Sequence, residues 1–137
     1  MTRNEASPHP VLGILVGHGS FPAALLKAAS EIVGTSEDVV VISNEGVTGA
    51  EMEGLLDRAV EAHPDREVLV LVDVFGSSCS NVSARVRRRH PDRVAVVCGV
   101  NLPMLIRFLY YRQRQTLAGL TDLMLATGRD EIRLGPD

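Results

Sequence analysis

The residues of this chain best suited to chemistry are a histidine held between two glycines and an aspartate that closes a valine-rich run. The stretch V-L-G-I-L-V-G-H-G-S-F-P-A-A-L-L, residues 11 to 26, sets His18 between Gly17 and Gly19, with Ser20 and a helix-like segment following. Glycine on both sides admits backbone angles and close approaches that a side chain would forbid. The imidazole can therefore stand at the rim of a sheet beside a helix N-terminus, a good place for an anion. Asp73 ends E-V-L-V-L-V-D and opens onto Gly76-Ser77-Ser78-Cys79-Ser80-Asn81. A carboxylate there is costly to bury unpaired, so it needs a cation, a hydrogen-bond donor or water, and His18 is the obvious donor. An aspartate accepting from one imidazole nitrogen fixes the tautomer and leaves the other nitrogen as nucleophile or base. The structural alternative is an aspartate that caps the following helix and a histidine packed in a loop.

Three chemistries could use the pair. In the first, His18 attacks a phosphoryl group whose oxygens are held by the two glycine- and serine-rich loops, through Gly19 and Ser20 on one side and Gly76, Ser77 and Ser78 on the other. In the second, Ser77, Ser78 or Cys79 is the nucleophile of a hydrolase with His18 as base, Cys79 gaining a lowered pKa from a helix N-terminus. The chain has no G-x-S-x-G elbow for that reading. The third is a phosphoaspartate at Asp73 of the receiver type; the acidic Mg²⁺ ligands this would need after the first strand are replaced by Gly17-His18-Gly19.

The elements that must position these residues are legible in the hydrophobic pattern. Residues 11 to 16, 39 to 43, 67 to 73 and 93 to 100 are short, nearly unbroken apolar runs rich in valine, as in strands buried on both faces. Between them lie helical patterns: one opens at Phe21-Pro22 and stops at Gly34, and another opens at Thr48 with Glu51 three residues on, a capping-box spacing. A third follows Ser80, two more cover P-M-L-I-R-F-L-Y-Y-R-Q and L-A-G-L-T-D-L-M-L-A-T-G, and E-I-R-L, residues 131 to 134, reads as a last short strand. Strand and helix alternate, which predicts a doubly wound, mostly parallel α/β sheet with helices on both faces. Ligands of such sheets bind outside the C-terminal ends of the strands. That edge carries His18, then Asn44 and Glu45, then Asp73 with its loop, then Asn101. H-P-D-R occurs twice, at 63 to 66 and 90 to 93, each time ending a helix, so His63 and His90 read as helix stops. His9 falls in a Pro-flanked segment, residues 1 to 10, that reads as disordered.

Composition narrows the function classes. A chain of 137 residues with 45% hydrophobic content suits one domain, placed at 11 to 137. A formal net charge of −3 gives no overall reason to bind nucleic acid or an anionic membrane. The arginines of R-V-R-R-R-H and R-F-L-Y-Y-R-Q-R-Q read as solvated faces or a docking surface for a protein partner. Cys79 and Cys98 lack zinc-site or redox-pair spacing and suit a reducing cytoplasm. No run approaches the ~20 apolar residues that cross a bilayer, so the expectation is a cytoplasmic protein without metal or organic cofactor.

Three segments together, G-I-L-V-G-H-G-S-F-P-A-A-L-L, L-V-L-V-D-V-F-G-S-S-C-S-N and C-G-V-N-L-P-M-L, resemble the signatures of the IIA component of the mannose-type phosphoenolpyruvate:sugar phosphotransferase system. The likeness runs in order from Val11 to Leu134 and includes the late T-G-R. It implies that His18 accepts a phosphoryl group from the phosphocarrier HPr and passes it to a histidine of a IIB component, or to a regulatory partner, while Asp73 hydrogen-bonds the imidazole. It implies a flavodoxin-like sheet and a homodimer whose last strand crosses to the other subunit, with membrane contact only through a IIC/IID permease. Asn81, Asn101, Pro103 and Met104 are then expected at the site rim. Members commonly read Gly-Gly-Ser/Thr-Pro-x-Asn where this chain reads Gly76-Ser77-Ser78-Cys79-Ser80-Asn81: the second glycine and the proline are gone. The hydrolase remains the reading of a different class.

Overall fold

A period of two within the valine-rich runs decides the architecture. Ile14, Val16, Val68, Val70 and Val72 bury against one set of helices, while Val11, Leu15, Leu69, Leu71 and Val97 bury against another. Successive strand residues point to opposite faces, so a strand apolar at every position must be covered on both sides. In the computed structural model, which describes residues 9–136, four parallel strands do this: β1 (Leu12–Gly17), β2 (Val39–Ser43), β3 (Val68–Val72) and β4 (Val94–Cys98). Their order is β2-β1-β3-β4. The fold is the parallel α/β sheet that the alternation of elements predicts, and it is flavodoxin-like, as the resemblance implies.

Among the described residues five helices cover the sheet: α1 (Phe21–Val33), α2 (Gly49–Glu61), α3 (Ser78–Arg89), α4 (Leu102–Tyr111) and α5 (Leu117–Asp130). Met52, Leu56 and Val60 of α2 and Val82 and Val86 of α3 close one face. Ala29 of α1, Leu105 and Phe108 of α4 and Leu120 and Met124 of α5 close the other. Each fully buried side chain of this size stabilises by about 1.5–3 kcal/mol, and that burial overrides the low helix propensity of the serine- and arginine-rich α3. Caps fix the boundaries. Thr48 and Glu51 form the expected capping box on α2, and Ser77, Asn101 and Thr116 cap α3, α4 and α5. Gly34 ends α1 at φ +90°.

The H-P-D-R segments do more than stop helices. His90 is the C-cap of α3, and Arg93 reaches back to donate to the carbonyls of Val60, His63 and Arg66, tying the two segments together below the sheet. Arg66 in turn donates to the Pro10 carbonyl and pairs with Asp38, which also accepts from the buried Arg112. Pro10 is thus anchored; residues 1–8, which make up most of the segment expected to be disordered, lie outside the described residues.

The tail finds no strand partner within its own chain. T-G-R lies inside α5, and residues 131–134 pair with no strand among the described residues: Glu131 caps α5, while Ile132 and Leu134 stand exposed. Four residues make a strand only when laid against an edge, and these lie against none of their own chain's.

Candidate phosphoryl-transfer site

The β1–β3 register builds the site. Val16 sits opposite Val72, so the next pair along is Gly17 and Asp73, whose amide donates to the Val16 carbonyl at 3.2 Å. β1 leads out to β2 on one side and has β3 on the other, which is the switch point where open α/β sheets bind ligands. Gly17 is required by proximity: a Cβ there would lie 3.1 Å from Cγ and Oδ2 of Asp73. Gly19 is required by conformation: a Cβ there would meet nothing within 4 Å, but the turn holds φ at +56°.

That turn brings His18 onto Asp73 twice. The His18 backbone N–H donates to Oδ2 at 3.0 Å, and Nδ1 meets the same oxygen at 2.7 Å. Oδ1 accepts from the Val74 amide at 2.8 Å. Both carboxylate oxygens are therefore engaged, and the carboxylate assigns the proton to Nδ1, leaving Nε2 with the lone pair. The Asp73 side chain is 9% exposed and the His18 side chain 48%, so the carboxylate is sheltered and the imidazole is reachable.

The end of β2 holds the loop from the other side. Ser43 donates its hydroxyl to the Gly19 carbonyl at 2.7 Å, Asn44 Oδ1 accepts from the Gly19 amide at 3.1 Å, and the Asn44 amide donates to the Gly17 carbonyl at 3.0 Å. The sequence pattern puts Asn44 at the right edge without a role and does not point to Ser43. Strand order is the missing signal, since β2 neighbours β1 only in the fold. The Gly19 amide, expected to hold phosphate, is already donated to Asn44.

Opposite, the β3–α3 loop is braced internally. Ser77 accepts from the Ser80 amide and donates to the Val74 carbonyl, and the Gly76 amide donates to the Ser80 hydroxyl. These two expected phosphate ligands thus shape the loop. Ser20 and Ser78 differ: both are exposed, Ser20 makes no side-chain cap bond on α1, and Ser78 opens α3 where first-turn amides lack helical partners. Val74, Phe75 and Phe21 expose apolar surface around the histidine.

The cysteine behaves contrary to the lowered pKa considered for it. Cys79 is fully buried, and desolvation together with the Asp73 charge pushes its thiol up. Cys98, at the end of β4, is raised by the same two causes. Among the described residues no serine hydroxyl hydrogen-bonds the His18 ring, and the Cys79 thiol, 4.0 Å from Nδ1, is raised and faces the nitrogen that Asp73 already holds, so neither a serine nor a cysteine is set up as an activated nucleophile. A receiver-type Asp73 fares no better, since both its oxygens are committed.

The four rim residues are scattered. Asn81 is exposed on a groove with Phe75, Ala84, Cys98 and Leu125. Asn101 caps α4 by accepting from the Met104 amide and donates to the Gly128 carbonyl of α5. Met104 is 2% exposed in the core, which corrects its assignment to the rim. Pro103, half-buried, opens α4. Among the described residues, metal-ligating atoms converge within 4.8 Å in two places, at His18, Asp73 and Cys79 and at Asp57, Glu61 and His90.

Residues 13–125 match the EIIA-man family, described as PTS system fructose IIA component. The chain is 29% identical over 125 residues to the PTS system fructose-specific EIIA component of Bacillus subtilis (strain 168), covering 88% of this chain and 84% of that one. It is 32% identical over 130 residues to the PTS system mannose-specific EIIAB component of Escherichia coli (strain K12), covering 89% of this chain but only 39% of that longer protein. Among solved structures it is similar to phosphotransferase system component EIIA from Streptococcus agalactiae, with a TM-score of 0.82, 29% identity, and coverage of 90% of this chain and 96% of that one. With these matches spanning the sheet and the loops that carry His18 and Asp73, the chain belongs to the EIIA-man family of phosphotransferase-system IIA components.

Proposed function

We propose that this protein is a phosphohistidine carrier, taking a phosphoryl group onto His18 from phospho-HPr and passing it to a IIB component or a regulatory protein. The observation that carries the reading is the pair of hydrogen bonds from His18 to one oxygen of Asp73, through N–H at 3.0 Å and Nδ1 at 2.7 Å. Nε2 attacks phosphorus as the bond to the donor nitrogen breaks. Positive charge gathers on the imidazole, and the Asp73 carboxylate stabilises it. The reverse geometry serves the onward step. Ser78, Ser20 and the first-turn amides of α3 are suited to the phosphoryl oxygens. Exposed Phe75, Val74 and Phe21 form an apolar rim that fits protein partners.

The protein acts in the cytoplasm on this reading, and no helix among the described residues is long and apolar enough to cross a membrane. Ile132 and Leu134 are exposed at 80% and 98%, which fits a tail that pairs with a second copy in a homodimer. The test is label transfer from phosphoenolpyruvate through the general phosphotransferase proteins. Acid-labile, alkali-stable label on the His18 peptide, absent from His18→Ala, is expected. Label on Asp73 or Cys79, or label retained by His18→Ala, overturns the assignment.

A further inference from the structure

The His18–Asp73 pair has a third neighbour that phosphoryl transfer does not use. Cys79 Sγ lies 4.0 Å from His18 Nδ1, and a ring nitrogen of His18, a carboxylate oxygen of Asp73 and Sγ all fall within 4.8 Å of one another. Imidazole nitrogen, carboxylate oxygen and thiolate sulfur are the donors that Zn²⁺ takes, commonly as three protein ligands with a fourth position open. Tetrahedral bonds of about 2.0–2.3 Å require donor atoms roughly 3.4–3.6 Å apart. The observed 2.7 Å and 4.0 Å bracket that spacing and the remaining separation lies within 4.8 Å, so side-chain shifts of up to about 1 Å would admit the ion. The other convergent group is poorer: Asp57 already pairs with Arg89 at 2.6 Å, and it offers no sulfur.

We propose that His18, Asp73 and Cys79 form a Zn²⁺ site whose occupation switches off the histidine as a nucleophile. The proton balance explains the effect. Zn²⁺ takes the Nδ1 lone pair, so the ring proton moves from Nδ1 to Nε2. The Cys79 thiol gives its proton to solvent and binds as thiolate, while Asp73 exchanges a hydrogen bond for a metal bond. Nε2–H has no lone pair left to attack phosphorus. Zinc thus acts by reversing the tautomer that Asp73 selects. Cys79 stands where the family pattern has proline, so the third ligand comes from a departure of this chain. One net proton is released per ion, and affinity should rise about tenfold per pH unit between about pH 7 and 8.

The inhibitory half of this proposal rests on the phosphohistidine reading; the metal site does not. Titration with Co²⁺ reads the site directly, since a thiolate ligand gives a sulfur-to-cobalt charge-transfer band. One equivalent should produce the band in the wild type and in Cys98→Ala, and Zn²⁺ should bleach it. Cys79→Ala and His18→Ala should each lose it while keeping the native circular dichroism. In the labelling assay Zn²⁺ should suppress phosphorylation of the wild type by at least tenfold, reversibly with a chelator, and act far more weakly on Cys79→Ala relative to that variant's own metal-free rate. No sulfur band, or equal sensitivity of the two proteins to Zn²⁺, overturns the proposal. A normal sulfur band in a protein that takes no label even without metal would instead overturn the carrier reading and leave the metal site standing.

Discussion

Asp73 Oδ2 accepts from both the backbone amide and the imidazole of His18, at 3.0 and 2.7 Å. One oxygen thereby fixes the position of the residue and the tautomer of its ring. Asp73→Asn keeps the shape but loses the charge that stabilises a protonated or phosphorylated imidazole. Phosphorylation of His18 should slow by roughly 10²–10⁴-fold without vanishing, as for other histidines deprived of an orienting carboxylate. Single-turnover labelling with matched denaturation curves checks this; an unchanged rate would remove Asp73 from the mechanism.

The two glycines flanking His18 should fail for different reasons. Gly17→Ala puts a Cβ 3.1 Å from the Asp73 carboxyl, tighter than ordinary contact, so Asp73 must shift and transfer should slow with little loss of stability. Gly19→Ala meets no neighbour but must hold φ +56°, costing about 1–2 kcal/mol of stability. Measuring rate and unfolding free energy on both variants separates the effects. Similar profiles for the two would contradict it.

Sequence pattern exposes the strands, the helices and the His18–Asp73 pair because each rests on local rules: apolar runs, caps and an aspartate ending a buried strand. The pairing itself needs β1 beside β3, but both residues are legible because each ends a parallel strand at the same edge. What stays hidden depends on neighbours distant in sequence. Ser43 and Asn44 brace Gly19 because β2 pairs with β1 in this register, and Arg93 meets Val60, His63 and Arg66 because α2 and β4 bring their ends to the same side. The resemblance places Met104 at the rim, but the turn of α4 that Asn101 caps carries it into the core.

Asn44 supplies a direct case. Asn44→Ala leaves the Gly19 amide without its acceptor, and the loop should loosen at a cost of about 1 kcal/mol while phosphorylation slows. Asn44→Asp keeps an oxygen in place and should recover most of the rate. If Ala and Asp variants are equally slow, the brace at Gly19 is not what matters.

Asp38 should govern acid stability. Burial by itself would raise its carboxyl, but hydrogen bonds from Arg112 and Arg66 and their charges outweigh that and hold it below the ordinary 3.8. A depressed carboxylate contributes stability that is complete above its unfolded value and is lost as pH falls through the folded one. Unfolding free energy should therefore drop below about pH 4 in the wild type. Asp38→Asn should be less stable at neutral pH by about 1–3 kcal/mol and show a smaller acid loss. Denaturant titrations across that pH range make the comparison, and parallel curves would exclude Asp38 as the source.

The exposed tail bears on assembly. Ile132 and Leu134 alternate as in a strand and are 80% and 98% exposed, yet they lie on no edge of their own chain's sheet. β4 is an outer strand of the sheet, and a groove lined by Phe75, Val96, Cys98 and Leu125 runs beside it. A second copy's tail laid on that edge would satisfy the backbone groups of β4 and bury both apolar side chains. Ending the chain at Asp130 should then shift a dimer toward monomer and leave an open edge prone to aggregation, while His18 phosphorylation persists because Asp73, Asn44 and Ser43 lie in the same chain as His18. Sedimentation of the full-length and shortened proteins over a range of concentrations decides it: a full-length monomer, or a dimer indifferent to the truncation, would show that the tail does not join two copies.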